Sequence, residues 1–291
     1  MRYKITETGF PTVTISKMEE GDKIYAERNS CIASSPVYSR EDEKAGRTTG
    51  KLKRRRLMVT ELEGTDYTPD KKPTELSQGW TNFKLGTQQT LDRKRIGERS
   101  YVLYEAMEDG QKATFRSCFP GTIMRWNAVP LAKGEHYVAP EESDEITKSV
   151  HNVDDDQRPH GTLMAVQGSF LVADLKVSAK VHHTGNVQVV RFSETKDSFQ
   201  KFSGNGMVFL EVRGDLQEIP LYSGESVDVF PGYLLAFTEG ITLEMKAAGD
   251  KTLRNEENND YVIRLTAGEN GGYVYTHSVK PKDFFGRNSN A

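Results

Sequence analysis

Along most of the chain apolar residues recur at every second position, in short runs rich in Val, Ile, Phe and Tyr that Gly, Pro, Asn or Asp interrupt. A repeat of two marks a strand with one buried face, because successive side chains point to opposite sides of the pleat. In TVTISKM, Val13, Ile15 and Met18 share a face against Thr12, Thr14 and Ser16. In ESVDVF, Val227 and Val229 alternate with Ser226 and Asp228. No capped segment of helical period is long enough to organise a core, so the pattern predicts an all-β protein.

The runs follow one grammar three times. GDKIYAERNSCIASS from Gly21, GTLMAVQGSFLVAD from Gly161 and GESVDVFPGYLLAFT from Gly224 each read as glycine, short strand, tight turn, second apolar strand. A forerunner strand precedes each elbow (FPTVTISKM, FPGTIMRWNAVPL, RGDLQEIPL). A pair of strands follows each, hinged at Asp109-Gly110, Gly204-Asn205-Gly206 or Gly271-Gly272. The expected division is 1–116, 117–211 and 212–278, with a tail at 279–291. Within the elbows, Asn29, Gly168 and Gly232 are expected to reverse the chain at positive φ, which Gly and Asn accept at little cost. No G-x-G-x-x-G opens a helix, so these glycines read as fold elements rather than a phosphate cradle.

Two excursions interrupt the pattern, and their charges oppose. Residues 41–99 hold fourteen Lys or Arg and ten Asp or Glu, whereas 135–160 hold two against eight. The whole chain of 291 residues carries a net charge of −3, which gives no global attraction to nucleic acid or an anionic membrane. Any such binding would be local, and Lys51, Lys53, Arg54, Arg55 and Arg56 are the candidates for phosphate contacts. The plainer readings are two solvated loops, or two loops that meet each other within a subunit or across an interface. Cys31 and Cys118, the only cysteines, neither staple a fold nor frame a metal site. The N-terminal MRYKITETGFPTVTI alternates where a signal peptide needs an apolar core, and no run reaches a membrane span. These features predict a soluble, reduced, cytoplasmic protein.

Taken in order, GFPTVTI…GDKIYAERNSCIA, FRSCFPGTI, QGSFLVAD and SFQKFSGNGMVFLEVRGD…PGYLLAF resemble the bacterial and mitochondrial family named for altered inheritance of mitochondria. The likeness covers the first forty residues and most of 100–278. It implies three tandem β-sandwich-like repeats with pseudo-threefold symmetry, each similar to the tryptophan RNA-binding attenuation protein, assembly as a homotrimer, and no catalytic residue to transfer. Two departures stand out. Typical members carry a Gly- and Leu-rich loop where this chain has KLKRRRLM, so any membrane or partner role of that loop does not transfer. The acidic stretch EHYVAPEESDEITKSVHNVDDDQRPH is the second departure.

Catalytic constellations are scarce: there is no G-x-S-x-G and no H-E-x-x-H. His151, Asp154, Asp155, Asp156 and His160 fall within ten residues, a mixed nitrogen and oxygen set suited to a divalent cation, although so polar a segment is more often simply solvated. His182 and His183 are adjacent in a strand and face opposite ways, which does not suit one ion. Trp80 and Phe83 read as a satellite cluster, and Trp126, alternating with Met124, as core or interface. Phe284 and Phe285 near the end of the chain are candidates for docking into a groove of the same or a neighbouring subunit. The resulting expectation is a non-enzymatic scaffold or binding protein acting as a homo-oligomer, without cofactor and open to a protein partner. A nucleic-acid-binding protein using the basic excursion is the alternative, and a metal-dependent enzyme using 151–160 the second.

Overall fold

The computed structural model describes residues 1–7, 9–27, 30–34, 37–39, 57–62, 101–107, 109–137, 160–166, 168–182, 199–247 and 261–279. The regular elements among them are strands and one 3-10 turn. The first stretch forms β1 (Arg2–Thr6), β2 (Thr12–Met18), β3 (Lys23–Glu27), β4 (Cys31–Ser34), β5 (Val37–Ser39), β6 (Leu57–Leu62), β7 (Tyr101–Glu105) and β8 (Gln111–Arg116). The second forms β9 (Gly121–Asn127), β10 (Leu163–Val166), β11 (Phe170–Asp174), β12 (Val177–His182), β13 (Phe199–Gly204) and β14 (Met207–Arg213). The third forms β15 (Leu216–Leu221), β16 (Ser226–Val229), β17 (Leu234–Thr238), β18 (Thr242–Ala247), β19 (Tyr261–Thr266) and β20 (Gly272–His277). The expected boundary at 211/212 falls inside β14, and the chain turns instead at Gly214, at φ +70.

The strands make four sheets, ordered β1-β2-β8-β4, β5-β6-β7-β3-β11-β14-β9, β12-β13-β10-β17-β20-β15 and β16-β19-β18. In each stretch the last strand pairs antiparallel with the forerunner (β8 with β2, β14 with β9, β20 with β15) and with the second elbow strand (β4, β11, β17). The penultimate strand pairs with the first elbow strand (β7 with β3, β13 with β10, β19 with β16) and with the strand before it (β6, β12, β18). Consecutive stretches are joined by β3–β11 and β10–β17.

Three apolar cores separate the four layers. Val13, Ile15 and Phe115 of the first sheet pack on Ile24, Val172 and Phe209 of the seven-stranded one. The other face of that sheet, with Tyr25, Phe170, Met124 and Trp126, packs on Leu163, Phe202 and Tyr275 of the six-stranded sheet. The third core joins Met164, Phe237 and Val274 to Val229, Ile263 and Leu265 of the last sheet. The outward faces of the two end sheets are polar, as terminal layers must be to stay in water. Thr14 bonds Thr114 at 3.0 Å on one, and Ser226 bonds Thr266 at 2.8 Å on the other.

Gly168 holds φ +100, as its turn was expected to require. Gly232 corrects the sequence reading: it lies in the 3-10 turn Pro231–Tyr233 and is not among the positive-φ glycines. Pro231 pre-sets a helical φ at the first position of the turn, so this elbow reverses by a right-handed route. Asn29 lies outside the described residues.

Candidate functional site

Between β15 of the six-stranded sheet and β16 of the outermost one lies a cavity of about 380 Å³. Pairing sets its floor: Leu216 faces His277 and Gln217 faces Thr276, so β15 and β20 present Gln217, Ile219 and Thr276 side by side. Val227 and Val229 of β16 form one wall with Phe230 and Tyr233 from the following turn. Asp215 and Ser278 stand at one end, tied by a backbone N–H of Asp215 donating to Ser278 Oγ at 2.8 Å.

Charge in the groove is uneven. Asp228 accepts two 2.6 Å hydrogen bonds from Arg264, which hold its carboxyl below the usual range and neutralise it. Asp215 is the other acid of the lining. His277 is 4% exposed, and its Nε2–H donates to the Gly232 carbonyl at 3.0 Å. Burial, with Arg213 nearby, pulls its pKa down to about 4, so the ring is neutral at pH 7. Its Nδ1 is buried without a hydrogen-bond partner among the described residues. The groove therefore offers shape, apolar walls and the carboxylate of Asp215.

The sequence candidates are dispersed or outside the described residues. Lys51, Lys53, Arg54, Arg55, Arg56, His151, Asp154, Asp155, Asp156, Phe284 and Phe285 belong to the latter, as do Trp80, Phe83 and His183. His160 meets Glu135 at 3.4 Å, and the Glu135 carboxyl is lowered chiefly by the 2.6 Å bond from the Ala132 N–H. Among the described residues no three His, Cys, Asp or Glu side chains come together as a metal site. Trp126 is buried, and its Nε1–H donates to the Gly161 carbonyl at 2.8 Å. Asp174 is raised by burial yet satisfied by Tyr3 Oη at 2.6 Å and the Met207 N–H at 2.8 Å. Cys31 and Cys118 are not joined in a disulfide. Sequence reasoning gave no role to His277, Asp215 or Tyr233. Strand pairing alone brings these residues together, so no local spacing could have revealed them.

The model of the family described as Mitochondrial biogenesis AIM24 matches residues 3–276. The curated proteins contain no match. Among solved structures, a structural-genomics X-ray crystal structure of a protein from Streptococcus pyogenes is similar at a TM-score of 0.53 and 14% identity. The similarity covers 98% of this chain and 96% of that one, and at this identity it concerns the fold alone.

Proposed function

The chain belongs to the AIM24 family, and from that premise we propose that it is a non-catalytic scaffold, three copies of one β unit in tandem, that works as a homo-oligomer and holds a partner rather than transforming one. The observation that carries this reading is the pairing scheme itself, which recurs in all three stretches and links them edge to edge. The groove supports it: its histidine is neutral and inward, and its paired acid is already neutralised by Arg264. Cys31 and Cys118, not joined in a disulfide, fit a reducing compartment, and we assign the protein to the cytoplasm. No helix among the described residues is long and apolar enough to cross a membrane.

Protein purified from its own cells tests the reading through its absorbance ratio and metal content. Preparations free of nucleic acid and metal, with or without a co-purifying protein, are expected. Stoichiometric nucleic acid that salt displaces would favour the phosphate-binding alternative on Lys51 to Arg56. Stoichiometric metal would favour the enzyme.

A further inference from the structure

Where the strands of the three stretches end, their linkers lie side by side in a belt. Gly121 N–H donates to the Gly9 carbonyl at 3.3 Å and Ser117 N–H to the Pro11 carbonyl at 3.0 Å, so Phe10 runs beside Cys118, Phe119 and Pro120. Gly121 faces Arg213 in register, and Gly214 N–H donates to the Pro120 carbonyl at 3.1 Å. After β20 the chain joins this belt and runs from Asp215 toward Arg213: Ser278 N–H donates to the Asp215 carbonyl at 3.1 Å, and Val279 N–H to the Arg213 carbonyl at 3.3 Å. Close approach fixes this exit, because a Cβ on Gly214 would stand 2.8 Å from Val279 Cγ2. The residues that follow, 280–287, read KPKDFFGR.

We propose that the segment 280–287 of the same chain folds back across the belt and seats Phe284 and Phe285 on the corner formed by Phe10 and Phe119. Three observations lead there. The corner offers aromatic surface: Phe10 is a large apolar side chain 48% exposed, and Phe119 lies half-buried beside it. The span matches, since Val279, Arg213, Gly121 and Gly9 are successive backbone neighbours at about 4.8 Å each, and the five residues from Val279 to Phe284 reach about 16 Å. The charges match as well. Arg213 lies over the Phe119 ring at 4.5 Å and Arg116 over the Phe10 ring at 5.6 Å, and Asp283, next to the phenylalanine pair, brings a carboxylate to these two guanidiniums. A ring faced by a guanidinium on one side takes a second ring at its edge or its other face. So short a tether presents the pair to its own corner at an effective concentration of about a millimolar or more, ahead of a neighbouring copy. Seated there, the segment straps the end of β20 in the third stretch to the β1–β2 turn in the first.

A cross-link and a protease test this. In a Cys31→Ser background, Gly286→Cys places a thiol where the seat would bring it beside the native thiol of Cys118. Mild oxidation is expected to join the two within one chain, and adding Phe10→Ser is expected to slow the joining about tenfold, because the tether alone then brings the thiols together. Joining between chains overturns the seat on the same chain. Joining that is as fast with Phe10→Ser, or no joining at all, overturns the seat itself. Trypsin gives a readout that needs no new cysteine. Cleavage after Lys282 and Arg287 of the native chain is expected to be slow, and to rise about tenfold with Phe10→Ser or with Phe284→Ser and Phe285→Ser together, because the protease takes only the undocked segment. Phe10 belongs to none of the three cores, so its replacement leaves the fold in place. Equal cleavage rates in all three proteins overturn the proposal.

Discussion

Protonation of His277 must couple to folding, because its ring titrates near pH 4 in the folded chain and near 6.5 when unfolded. Between those values the unfolded state binds the extra proton, so stability is full above about pH 6.5 and falls as the solution is acidified toward 4. The coupling amounts to at most about 3 kcal/mol. Urea unfolding of His277→Gln across pH 4 to 7 should show a flatter profile than the wild type; parallel profiles would mean the ring is not closed off as described. Gly204 makes a second case. Its φ is +149, and a Cβ there would stand 2.1 Å from the Lys176 carbonyl oxygen. Gly204→Ala should cost about 2–4 kcal/mol, whereas Gly224→Ala, at φ +80 with open space around it, should cost about 1. Denaturant midpoints of the two variants decide it. The sequence identified Gly204 as a hinge because Gly-Asn-Gly marks a turn by composition. It could not identify His277 as a buried group, because the Gly232 carbonyl that receives its proton lies 45 residues away.

Among the elements, alternation told the truth down to an irregularity. Val13, Ile15 and Met18 are fully buried, although the last two are three residues apart. Lys17 takes φ +53 and the register against β8 shifts between Ile15 and Met18, so one residue is absorbed and the face is kept. The elbow that turns through Pro231 shows the opposite lesson: a glycine between apolar strands suggested positive φ, but the proline beside it selected a 3-10 turn. Layer contacts were not legible at all, since both faces of β3 and β11 are buried and alternation cannot say against what. The stack Tyr25, Phe170, Phe202 crosses that hidden boundary, with centroids 5.2 and 5.6 Å apart and planes 16° apart. Phe170 is fully buried, and Phe170→Ala should cost about 3–5 kcal/mol and leave two layers loosely joined. Thermal unfolding would show this as a lower midpoint; a loss under 1 kcal/mol would mean the core collapses around the gap.

For the whole molecule, three cores hold four layers, and the edge pairings β3–β11 and β10–β17 link the three stretches of the chain. The three elbows were legible because each survives as a pair of strands, β3 and β4, β10 and β11, β16 and β17. The groove was not, since it exists only where the array ends. A scaffold that assembles with copies of itself should bury at least about 1,000 Å² per joint, with its charges at the rim. The most direct measurement is the native mass by light scattering over a range of protein concentrations and in high salt. About three times the 32.7 kDa of one chain, constant with dilution and retained in salt, is the expected result. A constant mass of one chain would contradict the account.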